Sequence, residues 1–162
     1  MKQLTRNIKS AEIIDFLNNI PIFDTLSNRE LKIITRYMHL KEIAAGKILF
    51  KEGENGEYVC FVISGTLEVV KKSQQTDYII LSEIGRGRSI GEMAIIDDYP
   101  RSATVRAKTK ALLIFFLRDQ FNHVLKEYPE IGIKILKGIT RLISLNLRKT
   151  SSRLADYMMP IN

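Results

Sequence analysis

The sequence lacks most of the features that mark secreted and membrane-spanning proteins. Cys60 is its only cysteine, which excludes an internal disulfide framework and is typical of a reducing compartment. The longest unbroken apolar run, Ala111–Leu117, is far too short to span a bilayer. The first ten residues, MKQLTRNIKS, lack the apolar core of a signal peptide. We therefore expect a soluble, cytoplasmic protein without a membrane partner.

Sequence patterns of common enzyme classes are also missing. There is no HExxH zinc motif, no nucleophile elbow and no Walker loop. The two histidines, His39 and His123, lie far apart in the chain and have no partner pattern. Asp97 and Asp98 are adjacent, so their carboxylates point in different directions, and we interpret them as a loop tip. We therefore predict a non-enzymatic protein without a metal or a cofactor.

The charge balance is basic, with 25 lysines and arginines against 18 acidic residues and a formal net charge of +7. Such an excess invites a nucleic-acid hypothesis. The basic residues are spread along the whole chain, however, and their denser patches have no interleaved aromatic residues. One of these patches, residues 134–153, falls on a predicted helix, where a solvated helix face explains it. We expect no direct DNA binding.

Hydrophobic periodicity predicts helices near the start of the chain and strands after them. Ile13, Ile14 and Leu17 lie at helical spacing. Ser27 and Glu30 form a capping-box pattern, which begins a second helix with an apolar stripe as far as residue 38. Strand patterns separated by glycine-containing turns follow at residues 48–50, 58–63, 66–72, 78–81, 104–107 and 111–117, with a polar hairpin loop at 73–76.

Helical spacing returns at Arg118. Phe121 and Val124 lie on one helix face, and Pro129 is well placed to begin a further helix of about twenty residues. Residues 151–162 either extend that helix to about residue 158 or fray. The apolar stripe of this helix packs either on the strands or on a second copy of the chain in a homodimer.

The order of these elements predicts the fold class. It is α+β, with an antiparallel β-roll or jelly-roll barrel flanked by N-terminal helices and C-terminal helices. Residues 1–117 hold the N-terminal helices and the barrel, residues 118–158 form the C-terminal helices, and residues 159–162 are a tail.

Residues 89–105 have the residue types of a small anion-binding pocket. Gly91 lets the backbone come close to a ligand, and the short apolar turn after it offers free N–H groups. Glu92 and Arg101 supply opposite charges nine positions apart. The spacing alone equally fits a surface ion pair that brackets a loop, which contributes little to stability.

Further segments along the chain resemble a known family when they are taken together and in order. They are residues 21–27, 45–53, 62–65, 91–105 and 128–129. This order resembles the cyclic nucleotide-binding domain of the catabolite activator protein, protein kinase A regulatory subunits and cyclic-nucleotide-gated channels. The resemblance runs from residue 21 to residue 147 and implies a stand-alone domain of that family, with residues 89–105 as its phosphate-binding cassette.

The resemblance implies a role for each residue of the cassette. Arg101 is expected to pair with the cyclic phosphate, and Glu92 to accept a hydrogen bond from the ribose 2′-hydroxyl. Gly91 is expected to approach the ribose, while the N–H groups of Ser102 and Ala103 complete the phosphate cradle. The other implied ligand contacts are Ile90, Met93 and Ala94 in the cassette and the apolar barrel residues Ile79 and Leu81.

The implied ligand is cAMP, with cGMP as the alternative, because the Ser102 hydroxyl is able to bond either a phosphate or a guanine amino group. The implied function is a sensor that relays ligand binding to an unknown effector protein through movement of its C-terminal helices, one residue of which closes over the base. Two alternatives stay open: a degenerate interaction module, or a fragment of a cAMP-responsive transcription regulator without its DNA-binding domain.

Overall fold

The structure is a computed structural model that describes residues 10–72 and 78–158. Within these residues, eight strands form two four-stranded antiparallel sheets, in the orders β1-β8-β3-β6 and β2-β7-β4-β5. The strands are β1 (Met38–Ile43), β2 (Ile48–Phe50), β3 (Tyr58–Ser64), β4 (Leu67–Lys71), β5 (Ile79–Ile84), β6 (Ser89–Ile90), β7 (Thr104–Ala107) and β8 (Ala111–Leu117).

Helices flank this β-roll at both ends of the chain. The α-helices are α1 (Ser10–Leu17), α2 (Asn28–Ile34), α3 (Arg118–Glu127) and α4 (Pro129–Tyr157), and 3-10 helices lie at Pro21–Phe23, Thr35–Tyr37 and Glu92–Ile95. None of the helices in the described ranges combines the length and the apolar character needed to cross a bilayer. The predicted α+β class, a β-roll flanked by helices, is confirmed.

The sheet strands β3 and β8 separate two hydrophobic cores. Val59 and Phe61 of β3 pack with the helices in one core, whereas Cys60 and Val62 point into the interior of the β-roll. Because successive strand residues face opposite sides, a strand buried on both faces must be apolar throughout. Cys60 packs there as a small hydrophobic residue, since none of its surface is exposed.

Local signals in the sequence fix several element boundaries. The capping box that begins α2 is present, with the Glu30 backbone N–H donating to Ser27 Oγ at 3.3 Å and the Ser27 N–H donating to Glu30 Oε2 at 2.8 Å. Pro129 begins α4, as predicted, and the helix continues for 29 residues to Tyr157. Of the two expectations for residues 151–162, helix extension therefore holds as far as Tyr157.

Two strands differ from the sequence prediction. The apolar stripe of α2 was expected to reach Met38, but α2 ends at Ile34 and Met38 begins β1, paired with Phe116 of β8. The two-residue strand β6 exists because Ile90 pairs with Cys60 of β3. In both cases a distant partner strand decides the backbone conformation. The predicted hairpin loop at residues 73–76 and the tail at 159–162 lie outside the described residues.

Candidate functional site

The cassette, residues 89–105, borders a cavity of about 580 Å³, counting its open mouth. Its walls come from the cassette itself and from β2, β4 and β7. The lining residues are Phe50, Val69, Ile90, Gly91, Glu92, Met93, Ala94, Asp97, Tyr99, Pro100, Arg101, Ser102, Ala103 and Val105.

Gly91 is required where the cassette enters its short helix. Its φ of +85° lies in the left-handed region, which residues with a side chain rarely adopt. A Cβ here would also lie 2.4 Å from Arg101 Nη1 and 3.1 Å from the Tyr58 carbonyl oxygen. The backbone can therefore pass directly beside the arginine, and the 3-10 helix Glu92–Ile95 starts at the cavity wall.

Arg101 is a buried cation, with 5% of its surface exposed. Its Nη2 donates to the Tyr58 carbonyl oxygen at 2.8 Å and its Nη1 to the Gly91 carbonyl oxygen at 3.3 Å. The guanidinium carbon lies 3.9 Å from the centroid of the Phe50 ring and 4.7 Å from that of the Tyr58 ring. Aromatic faces and carbonyl oxygens thus hold the group in a fixed orientation.

No carboxylate among the described residues forms an ion pair with Arg101, and its Nε has no hydrogen-bond partner there. Burial lowers the pKa of Arg101 from its ordinary value, because removal from water penalises the charged form. A guanidinium nevertheless stays protonated in proteins. The cavity therefore contains a positive charge that is not paired with a carboxylate in the part of the chain that the structure describes.

Glu92 contributes a second incomplete polar group to the same cavity. Its side chain is buried, and its Oε2 atom has no hydrogen-bond partner among the described residues. Burial raises the pKa of Glu92, and the local backbone N–H, Arg88 and Arg101 offset only part of this effect. Glu92 and Arg101 are both buried and do not form an ion pair, so the alternative of a surface ion pair is wrong.

Most of the residues singled out from the sequence lie together around this cavity. Ile79 and Leu81 are the exceptions. They lie on β5, an edge strand that pairs only with β4, and they are 50% and 52% exposed. Neither residue lines the cavity, so they do not form its apolar wall, and their expected contact with a ligand stays a prediction. The site residues that do line the cavity are Ile90, Gly91, Glu92, Met93, Ala94, Arg101, Ser102 and Ala103.

The apolar wall instead comes from Phe50, Val69 and Val105. These residues belong to β2, β4 and β7, and all three point into the interior of the β-roll. The sequence signal for these residues was their place in the strands predicted at 48–50, 66–72 and 104–107. It did not show that the inward faces of these strands meet at the cassette, because their pairing joins segments far apart in the chain.

A wider cleft continues from the cavity toward α4. It shares Glu92 and Ser102 with the cavity and encloses about 1520 Å³, counting its open side. The sequence predicted that the C-terminal helices close over the ligand but did not identify the residue. The α4 side chains along the cleft are Leu142, Asn146, Lys149, Thr150 and Arg153.

Comparison with known proteins assigns the family. The model of the cyclic nucleotide-binding domain matches residues 40–128, which is more than half of the 162-residue chain. The chain therefore belongs to the cyclic nucleotide-binding domain family. The resemblance inferred from the order of its sequence segments is confirmed.

Individual relatives carry the same domain in different settings. Lysophospholipase NTE1 of Pyricularia oryzae is 34% identical over 108 residues, which cover 67% of this chain and 7% of that protein. A cyclic nucleotide-gated potassium channel of Rhizobium etli is 31% identical over 129 residues, which cover 76% of this chain and 35% of the channel. The chain thus spans well under half the length of these relatives.

A solved structure extends the match beyond the strands. A cyclic nucleotide-binding domain from Methylobacillus flagellatus aligns with a TM-score of 0.82 at 27% identity, covering 94% of this chain and 85% of that one. The arrangement of helices around the β-roll is therefore similar in the two proteins.

The buried Glu92 generates a prediction about stability and pH. The pKa of Glu92 in the folded state lies above its ordinary value of 4.5. Protonated Glu92 therefore contributes to the unfolding free energy below pH 4.5, and this stabilisation is lost as the pH rises through the folded-state pKa. We expect the unfolding free energy of Glu92→Gln to rise relative to that of the unsubstituted protein as the pH increases above 4.5. Urea denaturation of both proteins at each pH measures the difference.

Glu57→Gln is the matched control, because Glu57 is exposed and precedes β3. Its stability difference from the unsubstituted protein should change less with pH than that of Glu92→Gln. Equal pH dependence of the two variants would contradict the account of Glu92.

Proposed function

We propose that this chain is a cyclic nucleotide sensor whose ligand is cAMP, with cGMP as the alternative. The observation that supports it is the presence of two incomplete polar groups in one cavity. Within residues 10–72 and 78–158, the guanidinium of Arg101 forms no ion pair and the Oε2 atom of Glu92 accepts no hydrogen bond. A cyclic nucleotide carries an anionic phosphate and a 2′-hydroxyl on the same ribose. One ligand thus supplies both missing partners.

The cyclic phosphate is proposed to bind Arg101. At present the arginine donates to the neutral carbonyl oxygens of Tyr58 and Gly91. An anionic acceptor forms shorter and stronger bonds with a guanidinium, and it compensates a charge that is costly to bury alone. The backbone N–H groups of Ser102 and Ala103, at the cavity wall, complete the phosphate site in this proposal.

The ribose is proposed to lie against Gly91 and Glu92. Only the ionised carboxylate has two oxygens that both accept hydrogen bonds. A hydroxyl donor at Glu92 Oε2 favours that ionised form and so opposes the effect of burial. We therefore expect the site to bind a ligand more tightly when it carries a hydroxyl group at this point.

The base is proposed to lie in the cleft between the cassette and α4. The amide of Asn146 offers both a donor and an acceptor to the edge of a purine, and Thr150 offers a hydroxyl. Ser102 also borders the cleft, and its hydroxyl can meet either the phosphate or a guanine amino group. This ambiguity is the reason that cGMP stays as the alternative ligand.

Movement of α3 and α4 is proposed as the output of the sensor. Because α4 borders the ligand cleft, a bound base contacts the helix directly and changes the relative stability of its positions. An effector protein, whose identity the sequence does not reveal, is proposed to respond to these helices. The retained pair of Glu92 and Arg101 argues against a degenerate interaction module.

The proposed role is binding and not catalysis. The match to the lysophospholipase covers 7% of that protein, so its enzymatic name does not transfer to this domain. Among the residues that line the cavity there is no histidine, cysteine or lysine to activate the Ser102 hydroxyl. Direct DNA binding is not part of the proposal either.

A homodimer through α4 is a further part of the proposal. Ile143, Leu147, Thr150, Leu154 and Tyr157 follow one another at alternating spacings of four and three residues. This is the repeat of a two-helix coiled coil. Leu147 and Leu154 are 66% and 61% exposed in the single chain, so a second copy of α4 has apolar surface to cover.

The first prediction of this proposal concerns affinity. Arg101→Ala removes the charge-assisted bonds to the phosphate and should weaken cAMP binding by about 2–4 kcal/mol, or about 30- to 1,000-fold. Arg101→Lys keeps the charge but loses the planar fork, and its affinity should lie between the two. Isothermal titration calorimetry measures all three affinities.

The fold should survive both Arg101 substitutions, because neither breaks an ion pair within the described residues. Thermal unfolding followed by circular dichroism checks this point. An Arg101→Ala variant that binds cAMP with unchanged affinity would refute the assignment of Arg101.

The second prediction concerns the oligomeric state. Multi-angle light scattering should give twice the mass of the chain for the unsubstituted protein and the mass of one chain for Leu147→Asp combined with Leu154→Asp. Leu145→Asp is the matched control, since Leu145 is 50% exposed on α4 but lies outside the repeat. A monomeric unsubstituted protein, or a control that dissociates equally, would count against the α4 dimer.

A further inference from the structure

Arg118 is the first residue of α3, and its side chain is bonded to the cassette. Its Nε donates to the carbonyl oxygen of Ala94 at 2.7 Å. Its Nη2 donates to the carbonyl oxygens of Gly56 at 2.6 Å and Asp97 at 2.7 Å. Its Nη1 pairs with the carboxylate of Asp98. One side chain thus bonds four residues, and we call this set of contacts the Arg118 bridge.

The acceptors of the Arg118 bridge adjoin the proposed phosphate site. Ala94 and Asp97 line the ligand cavity themselves. A Cβ on Gly56 would lie 2.2 Å from Ala94 Cβ and 3.1 Å from Arg101 Nε, so Gly56 is packed against both residues. Arg101 and Arg118 therefore both lie against Gly56, and Arg118 also bonds Ala94.

The two arginines also act on each other through space. The positive charge of Arg118 adds to the effect of burial in lowering the pKa of Arg101. An anion bound at Arg101 would reduce this repulsion. The electrostatic environment of Arg118 thus depends on occupancy of the cavity.

The other end of the Arg118 bridge leads to α4. Only Tyr128 separates α3 from α4, and the Tyr128 N–H donates back to the Val124 carbonyl oxygen at 2.8 Å. A Cβ on Gly132 would lie 2.5 Å from Leu125 Cδ2, so the two helices are in close contact at their junction. A displacement of the first turn of α3 is therefore passed to α4.

We propose that Arg118 is the positioning residue that couples the cassette to α3 and α4. The inference rests on the proposed function and deepens it by assigning the physical connection between ligand and helices. When a phosphate binds, the backbone at Ala94 and Asp97 adjusts to it, and Arg118 carries that adjustment into α3. Arg118 itself does not line the cavity, so it acts through the cassette and not on the ligand.

A purely structural role of Arg118 makes a different prediction. If the Arg118 bridge only stabilised the loop, its loss would lower the unfolding free energy, but the folded molecules would still move their helices on binding. If Arg118 couples the two regions, a variant without the Arg118 bridge should still bind the ligand but should no longer move its helices. The deciding readout is therefore the ligand-induced displacement of α4 in the folded protein.

The experiment measures that displacement in the full chain by double electron–electron resonance. Spin labels are placed at Lys47→Cys, before β2, and at Arg148→Cys on α4, both of which are exposed. The native Cys60 is fully buried and does not compete for label. Labelled chains are diluted with unlabelled protein, and the distance distribution is recorded with and without saturating cAMP, whose affinity is measured by calorimetry.

Two substitutions and one control are compared in this labelled protein. Arg118→Ala removes the Arg118 bridge, and Arg118→Lys keeps the charge but cannot hold four acceptors. Arg86→Ala is the control, because Arg86 also donates to a backbone carbonyl, that of Ile63 at 2.9 Å, away from the cassette. We expect Arg118→Ala to bind cAMP within about tenfold of the unsubstituted affinity and to lose most of the distance shift.

Arg118→Lys should show a partial shift and Arg86→Ala the full shift. If Arg118→Ala does not fold, the cAMP affinity and the distance shift of Arg118→Lys are compared with those of the unsubstituted protein instead. A full shift in the Arg118 variants overturns the coupling role and leaves the proposed function standing. If the unsubstituted protein binds cAMP but shows no shift, both the coupling role and the proposed helix output are overturned, and only the binding function stands. Absence of cAMP binding to the unsubstituted protein is a separate result, which overturns the proposed function and the coupling with it.

Discussion

A buried positive charge that forms no ion pair with any described residue is the constraint on which this site depends. Arg101 is almost completely removed from water. Carbonyl oxygens and aromatic faces surround its guanidinium, in the place that a carboxylate partner would ordinarily take. Such an arrangement is costly for the empty protein, because partial charges compensate an ion less well than a full counter-charge. The cost is recovered when an anion of matching shape enters. This is the physical reason to interpret the cavity as a binding site for an anion.

The β-roll makes this burial possible through the start of β3. The Tyr58 carbonyl oxygen accepts a hydrogen bond from Arg101, and the Tyr58 ring packs on the guanidinium. The ring of Phe50 in β2 also packs on the guanidinium. Gly56, just before β3, packs against the arginine and gives its carbonyl oxygen to Arg118. The proposed ligand site and the start of α3 thus meet at one short segment, residues 56–58. This proximity explains how a small domain can connect a cavity to a helix without a long chain of contacts.

The sequence predicted those parts of the molecule that depend on local signals. The capping box at Ser27 and the cassette around Gly91 are recognisable because neighbouring residues determine their structure. β1 and β6 were missed because their conformation depends on β8 and β3, which are remote in the chain. Ile79 and Leu81 were implied by the family resemblance, but they lie exposed on the edge strand β5 and do not line the cavity. The contacts of Arg118 were missed because bonds from a side chain to distant carbonyl oxygens leave no pattern in the sequence.

The central claim is that the phosphate, held by Arg101, dominates recognition. The most direct test is calorimetric titration of the unsubstituted protein with cAMP and, separately, with adenosine, which keeps the base and the 2′-hydroxyl but has no phosphate. The account predicts that cAMP binds at least about 30-fold more tightly than adenosine, because only cAMP compensates the buried guanidinium. Equal affinities for the two ligands, or no binding of cAMP, would contradict it.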